Sequence, residues 1–159
     1  MPWVSEMIEF VLMHTEEIEK AVHDARMDGG AKGAAGGSRG SRVSDPTAAN
    51  AIRNAMEISA VRIAYGPRVA GEREMKRVKN PEKWLRTARD VREYYAVCGN
   101  DRLRVFFQCR YELCEDWKNT CQKLGIGKDT YYAMRADVIR TAELYAVFRG
   151  AASPIDCRI

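Results

Sequence analysis

The chain has no stretch approaching 18 uninterrupted apolar residues, which excludes a membrane-spanning helix. It lacks the basic start and uncharged apolar run of a signal peptide, because Glu6, Glu9, Glu16, Glu17 and Glu19 interrupt its first 28 residues. The expectation is a protein that stays in the cytoplasm, with no membrane partner. Histidine is scarce, only His14 and His23. The five cysteines (Cys98, Cys109, Cys114, Cys121, Cys157) are odd in number and contain no C-x-x-C pair. That argues against a disulfide framework and against a structural zinc site, and for reduced cysteines used as small hydrophobes. No metal and no cofactor is expected. Strong charge of one sign is also missing: 26 Lys and Arg stand against 22 Asp and Glu, a net charge of +4.

What is present is an ordinary globular balance, 46% hydrophobic and 30% charged over 159 residues, about one domain's worth. The weak net charge is a cancellation. Residues 1–28 hold seven acids and two bases, residues 29–100 fourteen bases and seven acids, and residues 101–159 ten bases and eight acids.

Within 1–28, Val4, Val11, Ile18 and Ala25 recur every seven residues, with Met7, His14 and Ala21 on the adjacent line. This spacing predicts a separate amphipathic helix, with His14 on its apolar stripe. The stripe would cover either the rest of the chain or a second copy, which makes it a route to a homo-oligomer. Six of the twelve glycines then fall in GGAKGAAGGSRG at 29–40, so 29–44 reads as a flexible linker. A phosphate-cradling loop would need G-x-x-x-x-G-K-[ST] after a strand, and that pattern is missing.

Residues 45–100 form a basic helical and hairpin region. Asp45-Pro46 and Asn80-Pro81 are each a cap followed by a proline at the first helical position. Between them Val61, Ile63 and Tyr65 alternate with Arg62 and Ala64 before Gly66-Pro67, and a second run ends at Lys79. Two readings stay open for 60–79: a small β-hairpin, or a helix broken at Gly66-Pro67. Trp84, Ala88, Val91, Tyr95 and Cys98 trace one helical face, and Asp101 is expected to cap the next helix, with Leu103, Phe106, Phe107, Arg110, Leu113 and Trp117 inward or nearly so. Between Arg62 and Arg92 ten bases face four acids, which suggests an auxiliary basic surface from Arg73, Lys76, Arg77, Lys79, Lys83 and Arg86.

Residues 101–159 carry the most specific pattern. A short helix near 117–123 would bury Trp117 and Cys121 or Leu124. Gly125 then suits a left-handed turn, Ile126 a plug, and Gly127-Lys128-Asp129-Thr130 the start of a longer helix. Tyr131, Met134, Val138, Leu144 or Tyr145, and Phe148 would point inward. This is the layout of a helix-turn-helix, whose second helix enters the major groove of double-stranded DNA. Lys128, Asp129, Thr130, Tyr132 and Arg135 are then the base readers, and Lys118, Asn119, Thr120, Lys123 and Arg140 the phosphate contacts. The fold class expected is mainly α, ending in a helix-turn-helix. Adjacent carboxylates such as Glu16-Glu17 and Glu115-Asp116 diverge on a helix, and both histidines are remote from the cysteines, so no enzyme is expected. A non-enzymatic assembly or packaging component, built through the N-terminal helix, is the competing reading.

S-D-P-T-A at 44–48 after the glycine-rich run, P-E-K-W-L at 81–85, R-Y-E-L at 110–113 and T-C-Q-K-L-G-I-G-K-D-T-Y-Y at 120–132 resemble phage late-gene transcriptional regulators of the RinA/ArpU type. The resemblance spans nearly the whole chain. In that family the C-terminal half is similar to the fourth region of bacterial sigma factors. It implies DNA binding, activation of phage packaging or lysis genes, and contact with RNA polymerase. Gly127 stands where such helices often begin with Ser or Thr, and 60–79 has no clear place in a sigma-like scheme.

Overall fold

The computed structural model describes residues 3–32 and 57–157. The rest of the glycine-rich linker and the helix expected from Asp45-Pro46 lie outside the described residues. The protein is mostly helical, with one two-stranded antiparallel sheet among the described residues. No helix there is long and apolar enough to cross a membrane. The chain divides into two compact units, one made of Met1–Thr15 with Lys83–Ile159, the other of Glu16–Glu82. This departs from the expected boundaries at 28, 44 and 100.

The expected single helix over 1–28 is two helices, α1 (Trp3–Met13) and α2 (Thr15–Lys32), interrupted at His14. The interruption has visible chemical causes. The Thr15 hydroxyl donates to the Val11 carbonyl at 2.7 Å, a back-bond that competes with helical geometry. The carbonyls this exposes need partners. Arg92 donates to the Leu12 carbonyl at 3.2 Å, and the Cys114 thiol approaches the Met13 carbonyl at 3.8 Å. His14 packs at the bend, its ring 4.6 Å from that of Phe10. Because α2 runs to Lys32, the first four residues of the expected 29–44 linker are helical instead.

In the first unit, α1 is followed by α3 (Pro81–Val97), which enters the unit at Lys83, then α4 (Asp101–Phe107) and a π-helical turn (Gln108–Glu112). The unit ends in α5 (Trp117–Leu124) and α6 (Lys128–Phe148). Asn100, one residue before the expected Asp101, caps α4 by accepting from the Leu103 amide at 3.1 Å. The Leu113 amide reaches the Gln108 carbonyl at 2.9 Å, the wide ring that defines the π turn. That extra residue brings Cys109 and Tyr111 inward. The core is aromatic: Phe107 stacks on Tyr95 with centroids 4.9 Å apart, and Phe106 meets Tyr131 edge-on at 5.3 Å. Trp84, Val91, Val138, Ala142 and Ala146 complete it.

The N-terminal helix is not separate: α1 packs on α6 and on the π turn. Val4, Ile8, Val11 and Leu12 are buried there, each removal from water contributing about 1.5–3 kcal/mol. Two polar ties accompany them, the Ser5 hydroxyl donating to Glu143 at 2.8 Å and Arg135 to Glu9. Their reversed order shows that α1 and α6 run in opposite directions. The apolar stripe of α1, which suggested self-assembly, is therefore already covered within one chain.

The second unit contains most of α2 and the hairpin, β1 (Ala60–Val69) paired with β2 (Glu72–Lys79). The hairpin alternative holds over the broken helix. Ala70 and Gly71, at φ of 51° and 88°, form the two-residue turn with both residues left-handed. Asn80 is also left-handed rather than extended as a cap would be, and its amide closes the hairpin on the Ser59 carbonyl at 2.9 Å. Arg26 of α2 pairs with Glu82 at 2.6 Å.

Candidate nucleic-acid interface

The two helices that hold most of the expected readers are built by local rules. Asp116 caps α5, its carboxylate accepting from the Asn119 amide at 2.8 Å. The helix ends at Gly125, with φ of 59° and ψ of 41°. The Gly125 amide turns back to the Gln122 carbonyl and the Ile126 amide to the Cys121 carbonyl at 3.1 Å. These two bonds are a Schellman termination, which needs a left-handed residue at this position. Gly127 then opens α6 in an extended conformation, with no side chain to cap it.

This turn leaves Lys128, Asp129, Thr130 and Tyr132 exposed at the start of α6, while Tyr131 and Met134 are buried. Asp129 in the first turn is favourable against the positive end of the helix dipole. The Lys128 ammonium lies 5.5 Å from the Trp117 ring centroid and 6.0 Å from that of Tyr132, and Lys118 lies 5.8 Å from Trp117. Two cations and two exposed aromatic faces thus gather where α5 meets α6. Asn119 and Arg140 are exposed as well. Lys123 is exposed but bound to Glu115, and that hydrogen bond holds its pKa above the ordinary lysine value.

Two expected contacts fall elsewhere. Thr120 is 0% exposed and its hydroxyl donates to the Asp116 carbonyl at 2.8 Å, so it is a core residue rather than a phosphate contact. Helical spacing put it next to Asn119, but the buried face of α5 passes through it. Arg135 is engaged in an ion pair with Glu9. Its Nε and Nη2 each lie 2.5 Å from a Glu9 carboxylate oxygen, with side-chain exposures of 19% and 17%. The hydrogen bonds to Glu9 raise the guanidinium pKa further. Tyr111, whose own pKa is pushed up by burial, reaches the same carboxylate at 3.5 Å.

The auxiliary basic residues also separate. Arg73, Arg77 and Lys79 are exposed on one face of β2, whereas Lys76 points to the other face and is half-buried. Lys83 and Arg86 are exposed on α3, which belongs to the first unit from Lys83 on.

Sequence reasoning missed Trp117, expected inward but 37% exposed, because it occupies the first turn of α5 at the rim of the buried stripe. Leu113, Leu144 and Phe148 are likewise exposed, at 58%, 53% and 78%. The buried line of α6 instead runs through Tyr131, Met134, Val138, Ala142 and Ala146. Arg62, outside the basic surface expected from the sequence, is exposed on β1 between the buried Val61 and Ile63.

Among the described residues no cluster of His, Cys, Asp or Glu could hold a metal ion. A shallow cavity of about 260 Å³ is lined by Tyr95, Ala96, Arg104, Phe107, Gln108 and Glu112, and Arg104 is paired with Asp101 at 2.6 Å. No family model matches the chain, no curated protein matches it in sequence, and no solved structure matches it in fold.

Proposed function

We propose that this protein is a non-enzymatic, sequence-specific regulator of transcription that binds double-stranded DNA with the first turns of α6 in the major groove. The observation that carries this reading is the exposure of Lys128, Asp129, Thr130 and Tyr132 immediately after a glycine turn, beside Lys118 and Asn119 on the preceding helix. A short helix, a left-handed glycine and a longer helix with polar first turns are the parts of a helix-turn-helix. Lys128 can donate to guanine O6 and N7 or to a phosphate, Asp129 can accept from cytosine N4, and Thr130 can do either. Lys118, Asn119 and Arg140 would position the backbone, with Lys123 doing so on release from Glu115. Arg135 drops out of the reading set.

The resemblance to phage late-gene regulators supports the same reading and adds RNA polymerase as a partner, with action in the cytoplasm on packaging or lysis genes. A mobility-shift assay on the protein's own upstream DNA tests it. Retardation should survive excess random competitor in wild type, and that resistance to competitor should weaken in Lys128→Ala. Absence of retardation at low salt overturns the reading.

A further inference from the structure

The hairpin sorts its side chains into two faces. Val61, Ile63 and Val78 are buried on one, at 6%, 3% and 0% exposure. On the other, Arg62 of β1 and Arg73, Met75, Arg77 and Lys79 of β2 are all exposed. Strand alternation assigns Glu72 and Glu74 to the first face, so the outer face of β2 carries three cations and no acid. The register sets Arg62 directly opposite Arg77 and Ala60 opposite Lys79. Among the described residues, none of Arg62, Arg73, Arg77 and Lys79 is in an ion pair.

Like charges facing each other across two strands destabilise the pair. Folding therefore supplies no reason for Arg62 opposite Arg77, and a polyanion does. At about 3.3 Å per residue, Arg73 to Lys79 spans about 20 Å. A DNA strand carries one phosphate for about every 3.4 Å of axis, so such a row meets several phosphates. A two-stranded ribbon is also narrow enough for the roughly 12 Å major groove.

We propose that the outer face of this hairpin is a second contact for duplex DNA, sequence-independent, gripping the phosphate backbone through Arg62, Arg73, Arg77 and Lys79. Lys76, on the opposite face, takes no part. The choice of DNA among polyanions rests on the reading of α6 above, whereas the arrangement of charge stands without it.

The test is fluorescence anisotropy of the full chain on a random-sequence duplex between about 50 and 200 mM salt. Arg62→Gln with Arg77→Gln should lower the slope of log affinity against log salt by about 1.8, so that salt weakens binding about 12-fold less than in wild type. The thermal midpoint should hold or rise, because a repulsive pair is gone. Arg73→Gln with Lys79→Gln, which leaves the facing pair intact, should lower the slope equally, and Lys76→Gln should not. An unchanged slope in both double variants overturns the proposal. So does tighter binding at 50 mM to duplex RNA, or to vesicles of phosphatidylserine and phosphatidylcholine, than to duplex DNA. Failure of the α6 reading looks different: Lys128→Ala would keep its preference for the upstream DNA while the hairpin variants still lost slope.

Discussion

Glu9 and Arg135 join α1 to α6 through two 2.5 Å contacts, with 126 residues of chain between them. The pair holds the N-terminal helix against the helix proposed to read DNA. Truncating either partner leaves the other largely buried without its opposite charge. Glu9→Ala and Arg135→Ala should each cost about 2–3 kcal/mol, less than a fully buried pair because about a fifth of each side chain remains exposed. Urea denaturation measures this. Replacing both by Leu and Met should recover most of the loss, and base preference measured on folded Arg135→Ala should match wild type.

Thr120 and Lys128 make a second contrast. Thr120→Val removes one buried hydrogen bond and should cost about 1 kcal/mol of stability while leaving DNA affinity alone. Lys128→Ala should do the reverse. Its stability should stay within about 0.5 kcal/mol of wild type, and its affinity for a preferred site should fall about 10-fold. Parallel denaturation and anisotropy titrations separate the two.

Gly125 holds a φ of 59° with nothing within 4 Å of an added Cβ, so substitution there meets backbone strain and no clash. Gly125→Ala should cost about 1–2 kcal/mol, and Gly125→Asn less, since Asn tolerates the left-handed region. The order of thermal midpoints, Gly above Asn above Ala, checks it.

The thiols should react in an order set by burial. Cys109 and Cys157 are 6% and 7% exposed, and burial raises both pKa values, so less thiolate is present at any pH below them. Cys114 is exposed. Brief iodoacetamide treatment of the native protein at pH 8 should label Cys114 ahead of Cys109 and Cys157, and mass spectrometry of the peptides reads the order. For the buried pair the rate should still be climbing at pH values where an ordinary cysteine has levelled off.

Features governed by neighbours in the chain were legible. The left-handed glycine at 125 and the start of α6 at Lys128 both follow from spacing and backbone sterics. The hairpin could be told from a broken helix only once strand pairing was seen, because alternation over six residues suits either. The helix break at His14 was not legible. Its signal, Thr15, is an ordinary helical residue until Arg92 and Cys114 arrive to take the freed carbonyls.

The sequence by itself thus determined where the backbone turns, since left-handed residues, caps and alternation act over a few positions. Only the tertiary structure decided which cations remain available for a ligand. Arg135 and Lys128 share one helix seven residues apart, and one is neutralised by Glu9 while the other stands exposed beside Trp117. Charge is a property of the residue, but its availability depends on what the fold brings within a few ångströms.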